Sequence, residues 1–272
     1  MLRLLRLGAN VHMTDKDGKT ALSHASAAGR KGLVKALLAA GSKVDHADNQ
    51  GDSSLVLASR RGYDECVKLL LEAKADVNHA SEGGWTSLML ASGGGYPECV
   101  KLLLAAKANV DDVNKCAGMS ALSWACKYPE SRPRTEVIKL LIEAKADVNQ
   151  SDEYGRTALV MACDHGNEAA VKLLIEANAN IDGASKSGET ALMRAIRHPR
   201  IVKLLIEAKA DVNRASVNGF TALMCACECV SEGCLATVKL LLAVPGIDID
   251  HVGNEGETAL SLAKAPKKAL GK

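Results

Sequence analysis

A six-residue phrase, [Thr/Ser]-[Ala/Ser]-Leu-x-x-Ala, constrains this chain more than any other feature. It begins at Thr20, Ser53, Thr86, Ser120, Thr157, Thr190, Thr221 and Thr258, so successive copies lie 33, 33, 34, 37, 33, 31 and 37 residues apart. A period in this range marks stacked supersecondary units, which grow without one large central core. Apolar residues make up 47% of the 272 residues but aromatic ones only 3%, so the core has to be built from Leu, Ala, Val and Ile in closely packed short helices.

One unit, residues 51–84, illustrates the rest. The Ser53 hydroxyl can accept from a free amide of the first helical turn. Ser54 to Arg61 then reads as a short helix with Leu55 and Ala58 facing inward, ended by Gly62. A second helix is predicted from about Asp64 to Ala73, with Val67, Leu70 and Leu71 at helical spacing. The stretches Ala75-Asp76-Val77-Asn78 and Ser81-Glu82-Gly83-Gly84 carry the turn chemistry of a hairpin-like finger leading to the next unit. Two short helices cannot bury their apolar faces alone, so each unit needs its neighbours.

The remaining features exclude more than they assert. Net charge is +2, with 34 basic and 32 acidic residues intermixed, so no basic block suited to nucleic acid or anionic lipid stands out. The in-register lysines Lys68, Lys101, Lys139, Lys172, Lys203 and Lys239 are balanced by Glu72, Glu143, Glu176 and Glu207 four residues after the corresponding Lys. No apolar run approaches the roughly 18 residues a membrane span requires. Leu4 to Val11 aligns with Leu37 to Val44, so the first residues read as the end of a repeat and not as a targeting peptide. Nine cysteines without a secretion signal imply free thiols in a reducing compartment, cytoplasmic or nuclear. Cys66 and Cys99 share one repeat column, and Cys126, Cys163 and Cys227 another, as core filler. Cys225, Cys227, Cys229 and Cys234 are the one metal-like cluster, but a helix cannot converge Cys-x-Cys-x-Cys on one ion, so core and loop thiols are expected, with redox sensitivity as a further option. His46, His79 and His251 share a finger column and read as exposed. Gly93-Gly94-Gly95 falls at an inter-helix turn and is not a phosphate loop. No cofactor or catalytic constellation is expected.

The lead-in Asp-x-x-Gly-x-Thr (Asp15 to Thr20), the Thr-Ala-Leu-x-x-Ala helix start, the Gly before the second helix, Val-Lys-Leu-Leu-Leu and Ala-Asp-Val-Asn together resemble the ankyrin repeat family over residues 1–263. The resemblance implies an all-α repeat solenoid of about seven full units. Repeats would start near Asp15, Asp48, Ser81, Lys115, Asp152, Ser185, Ser216 and Gly253, after a partial repeat at 1–14 and before a polar tail at 264–272. Three departures stand out. The family's Pro after Thr is Ala or Ser here. Its His after Leu is Ser, Val or Met (Ser23, Val56, Met89, Ser123, Val160, Met193, Met224, Ser261), which implies lost hydrogen bonds and a less rigid turn. Its Gly after the second helix survives at Gly8 and Gly41, with Gly246 as a further candidate, but gives way to Lys74, Lys107, Lys145, Asn178 and Lys209; if those keep a positive φ, each Lys costs about 1 kcal/mol relative to Gly.

In proteins similar to this one, partners lie along the concave face made by finger tips and first-helix ends. By position that selects Trp85, Met119, Tyr154, Arg156 and Phe220 on or beside the fingers, with Arg60, Arg61, Tyr128, His165 and Arg197 on the first helices. Aromatic and Arg anchors dominate most interfaces. Trp124 shares a column with Leu57, Leu90 and Leu262 and is assigned to the core. The expanded turns at 128–134 and 228–234 are further candidate contact loops. The resemblance also implies hydroxylation of Asn78, Asn149 and Asn213. The resulting expectation is a non-enzymatic, monomeric interaction module or scaffold for an unidentified protein partner. The alternative is a regulatory or targeting segment of a longer enzyme or channel, motivated by a first residue that falls inside a second helix.

Overall fold

The computed structural model describes residues 10–128, 132–229 and 231–264, without the side chains of Arg132 and Pro133. The expected leading helix end at 1–9, the tail at 265–272 and the centre of the 128–134 turn lie outside the described residues. Among the described residues fifteen helices follow in order: α1 (Ala21–Ala27), α2 (Lys31–Ala39), α3 (Ser54–Arg60), α4 (Asp64–Glu72), α5 (Ser87–Gly94), α6 (Pro97–Ala105), α7 (Ala121–Cys126), α8 (Arg132–Glu143), α9 (Ala158–Asp164), α10 (Glu168–Glu176), α11 (Ala191–Arg194), α12 (Pro199–Glu207), α13 (Ala222–Glu228), α14 (Glu232–Leu242) and α15 (Ala259–Lys264). They fall into two compact units, residues 1–125 with 131–147 and residues 126–130 with 148–272.

In both units the phrase acts as the sequence suggests. The Thr or Ser that opens it caps the first helix of each pair, its hydroxyl accepting the amide three residues on: Val56 at Ser53, Met89 at Thr86, Val160 at Thr157, Met193 at Thr190 and Met224 at Thr221. At Thr20 the contact is reciprocal, because Ser23 returns a hydroxyl to the Thr20 amide. Where Val or Met replaces Ser, the side chain enters the core: Val56, Met89, Val160, Met193 and Met224 are all buried. The same capping residue forms a single antiparallel bridge to the finger, as in Ala47 to Ser53 and Ala184 to Thr190.

The phrase's Leu is buried in each pair from Leu22 to Leu223, together with Val34 and Leu37, Val67 and Leu70, Val171 and Leu174, and Val202 and Leu205 from the second helices. In the first unit, α1, α3 and α5 pack side by side, as do α2, α4, α6 and α8. In the second, α9, α11, α13 and α15 form one row, while α10, α12 and α14 form the other. This periodic burial of Leu, Val and Ala is the main cohesive force within each unit.

The second helices from α2 to α12 end in Schellman turns. The Lys74 amide donates to the Leu71 carbonyl and the Ala75 amide to the Leu70 carbonyl. Lys74, Lys107, Lys145 and Lys209 have φ of 65°, 65°, 67° and 67°, and Asn178 has 59°. The condition attached to the missing glycines is therefore met, and four lysines occupy left-handed backbone that disfavours a Cβ.

Fingers are laced by side chains to successive backbones. Asp45 accepts the Asp76 amide, Asn78 that of Asn109 and Asp111 that of Asp147 in the first unit. Asn149, Asp182 and Asn213 accept the amides of Asn180, Asp211 and Asp248 in the second. His46, His79 and His251 are half-buried, contrary to their expected exposure: each Nε2–H donates to the carbonyl of a glycine in the preceding finger, Gly18, Gly51 or Gly219. A carbonyl can only accept, which fixes the tautomer.

Two irregular steps of the repeat, 31 and 37 residues, meet in the second unit. Here α11 is only four residues long, and the following turn closes with the His198 amide donating to the Ala195 carbonyl at 2.7 Å. The shortened turn leaves the carbonyls of Ile196 and Arg197 facing α14. Thr237, fully buried, donates its hydroxyl to Ile196 at 2.8 Å. Gly233 lies so close to the Arg197 carbonyl that an added Cβ would come within 2.4 Å of it. The extra residues of the later turn thus cover the backbone exposed by the shorter one.

Candidate functional site

The expected contact residues separate into two groups, one per unit. In the first, Arg61 is exposed, whereas Arg60 is half-buried with its guanidinium on the carboxylate of buried Asp52 at 2.7 and 2.9 Å. That pair fixes the Arg60 head group on the finger. Trp85 is half-buried and tilted against Trp124, ring centroids 5.0 Å apart at 54°. Trp124 is half-buried too, and its assignment to the core is corrected: its indole packs against Trp85 of the finger, whereas Leu57 of the same column is buried. The indole also lies over Gly93, whose absent side chain leaves room for it.

Met119 is a second correction. It was placed on the exposed finger, but it is only 2% exposed, and its amide donates to the Asn114 side chain. The step of 34 residues adds one to this finger, and the turn formed around Asn114 carries Met119 inward.

The second unit brings more of its residues together. Tyr154 is 59% exposed, with the Arg156 guanidinium 4.9 Å above its ring. The same guanidinium donates to Asp152, whose carboxylate also accepts the Tyr154 and Arg156 amides. Tyr154 and Arg156 line a recess of about 230 Å³ with Ser185, Ser187, Glu189 and Arg194. Phe220, half-buried, lines a neighbouring recess of about 360 Å³ that shares Ser187 and Glu189 and adds Met193, Cys225 and Glu228. Glu189 therefore borders both.

Arg194 was not among the expected site residues, yet it organises this surface. It holds Asp164 at 2.8 Å and Glu189 at 3.5 Å. Burial alone would lower its pKa, but the hydrogen bond and charge of Asp164, with those of Glu189, raise it. Burial, together with Glu189 and Glu228, pushes the Cys225 thiol up to about 11. Arg194 and Cys225 occupy the fifth letter of the phrase, which reads His24, Leu57, Leu90, Trp124, Met161, Arg194, Cys225 and Leu262. Such chemical diversity inside a constant phrase was the signal that could have located it.

Other expected residues stand apart from these recesses. His165 is exposed and its Nδ1–H donates to the Met161 carbonyl at 3.0 Å. Arg197 is exposed and lines a different recess with Gly166, His198 and Arg200. Tyr128 is half-buried, its carbonyl accepting from the Asn167 side chain at 3.1 Å. Asn78, Asn149 and Asn213 spend their side-chain oxygens on the finger ladder, and Asn213 also donates to Gly246.

Cysteine placement corrects the expectation of free thiols throughout. Cys229 and Cys234 form a disulfide. The column cysteines Cys66, Cys99, Cys126 and Cys163 are buried as expected, but Cys227, in the column of Cys126 and Cys163, is only half-buried; burial pushes the Cys99 and Cys126 thiols up to about 12. Among the described residues no group of three or more His, Cys, Asp or Glu is placed to hold a metal ion. The lysine face is charge-balanced but not by the expected pattern alone. Lys203 pairs with Glu207, Lys172 reaches back to Glu168, and Lys101 crosses to Glu136 of the next pair. No helix among the described residues is long and apolar enough to cross a membrane.

A family model described as ankyrin repeats (3 copies) matches residues 1–81, 78–152, 130–216 and 201–265. No curated protein matches the chain.

Proposed function

This chain belongs to the ankyrin repeat family, whose members are generally protein–protein interaction modules, and from that premise we propose that it is a non-enzymatic binding module. It captures a protein partner on the surface formed by finger tips and the finger-facing side of the first helices. The observation that carries the reading is the pair of recesses sharing Glu189, with Tyr154, Arg156 and Arg194 on one side and Phe220 and Glu228 on the other. Aromatic rings beside fixed charges are what binding hot spots are made of. Arg156 and Arg194 are already held by carboxylates, so little side-chain freedom is lost on binding. Phe220 between Glu189 and Glu228 favours a basic side chain from the partner, through ring-face and carboxylate contacts. In the first unit, the Trp85–Trp124 pair offers a second aromatic anchor.

The test is affinity capture from the native source with wild type, Trp85→Ala/Phe220→Ala and Glu228→Lys. We expect the double variant to lose the captured protein at least about tenfold, as removal of one strong anchor does, and the charge reversal to weaken capture with strong salt dependence. Capture unchanged in all variants overturns this placement of the site. Hydroxylation of Asn78, Asn149 and Asn213 is a separate part of the proposal, and an intact mass without added oxygen removes it.

A further inference from the structure

The disulfide between Cys229 and Cys234 sits where the long turn between α13 and α14 covers the short turn after α11. Cys229 is half-buried and terminates α13 in extended backbone, whereas Cys234 is fully buried in the first turn of α14. Their Cα atoms are 5.9 Å apart, within the range a disulfide spans without backbone distortion. Attachment of α14 does not depend on that bond. The Ser231 hydroxyl caps the helix by accepting the Cys234 amide at 3.3 Å, and Thr237 is bonded to Ile196. Breaking the S–S bond therefore frees the Cys229 end of the turn while the helix keeps its seat.

We propose that Cys229–Cys234 is a reversible thiol–disulfide site that controls how firmly Cys229 and Ser231 are held against the start of α14. The chemistry closes with a small monothiol such as glutathione as reductant. Its thiolate attacks Cys229 Sγ, the more accessible sulfur, and the S–S electron pair leaves on Cys234 Sγ. That thiolate is received by the Ser231 hydroxyl, which points at Cys234 Sγ from 3.1 Å, and by the amino-terminal end of α14. A second thiolate attacks the monothiol sulfur of the mixed disulfide and releases Cys229. The protein disulfide gains two electrons, two monothiols become one small disulfide, and the two protons they lost end on the cysteines. Oxidation by the small disulfide runs the same steps backwards. Cys66, Cys99, Cys126 and Cys163 are buried and do not compete, whereas exposed Cys116 and half-buried Cys225 and Cys227 are free thiols that the peptide readout keeps separate from the pair. This inference stands independently of the binding surface.

The experiment equilibrates the full-length protein in glutathione buffers from fully reduced to strongly oxidised, quenches with an alkylating agent and cleaves after Glu228 and Glu232. We expect the peptides 229–232 and 233–255 to appear linked, and to part in a single two-electron transition within the buffer range. Amide exchange over 229–236 should rise about tenfold on reduction, as an unlinked loop gains conformations, with protection of the later turns of α14 retained. Cys229→Ser should remove the transition and reproduce the faster exchange. A pair alkylated at every ratio overturns the proposal. So does a link that survives excess dithiothreitol in the native protein, an adduct on Cys229 that never closes, or exchange indifferent to reduction.

Discussion

The first helices of the two units differ in what they bury at equivalent positions. In the first unit, the residue after the phrase's Ala is Ser26, Ser59 or Ser92, and the phrase's second letter is Ser at 54 and 87. All five hydroxyls are buried without a hydrogen-bond partner among the described residues. In the second unit, the residue after the phrase's Ala is fully buried Cys126 or Cys163, half-buried Ile196 or Cys227, or exposed Lys264, and the second letter is buried Ala158, Ala191, Ala222 or Ala259. Sulfur packs as a small hydrophobe and alanine has nothing to satisfy, whereas a buried hydroxyl without a partner costs about 1–3 kcal/mol. The two units share a backbone plan but not its energetics: one carries a polar burden within its first-helix row that the other has shed.

That contrast can be broken by exchange across it. Cys163→Ser imports the burden into the second unit and should cost about 1–3 kcal/mol, read as a lower urea midpoint at unchanged slope. An unchanged midpoint would mean that the backbone at that position satisfies a hydroxyl after all. Ser59→Ala removes one burden from the first unit and should raise the unfolding free energy by about 1 kcal/mol, and the midpoint with it; a loss would show the Ser59 hydroxyl to be bonded. Smallest, and a control that should not distinguish the units, is replacement of the left-handed lysines. Lys74→Gly in the first unit and Lys209→Gly in the second have nearly the same φ. Relief of Cβ strain, offset by the greater freedom of glycine in the unfolded chain, should leave each a gain of at most about 1 kcal/mol. Equal gains sharpen the contrast by confining it to the buried column, and no gain at either removes the strain.

Much of this was legible from letters alone, for physical reasons. A Thr or Ser one residue before a helix satisfies a local amide, so Thr20, Ser53 and Thr86 announce their caps whatever surrounds them. The Schellman turns at Lys74 and Lys209 follow from where the apolar periodicity stops. The candidate site was read less well because its residues are fixed by contacts between repeats. Met119 turns inward because its finger has one more residue, Trp124 turns outward because Gly93 and Trp85 make a place for it, and Arg194 matters because Asp164 lies beside it. The finger histidines look like surface residues until the carbonyls of Gly18, Gly51 and Gly219 are known to face them. A pairing of Cys229 with Cys234 depends on how a turn folds back, which no spacing rule among Cys225, Cys227, Cys229 and Cys234 states.

Repeat arrays are usually treated as interchangeable blocks, each swapped for a consensus copy without disturbing more than its borders. The seating of Gly233 and Thr237 against Arg197 and Ile196 removes that freedom here. A standard-length α11–α12 block would drive its restored turn into Gly233, and a standard-length α13–α14 block would leave two carbonyls bare. The two length changes compensate one another, so this stretch has to be transplanted, shortened or redesigned as a double module spanning residues 190–242.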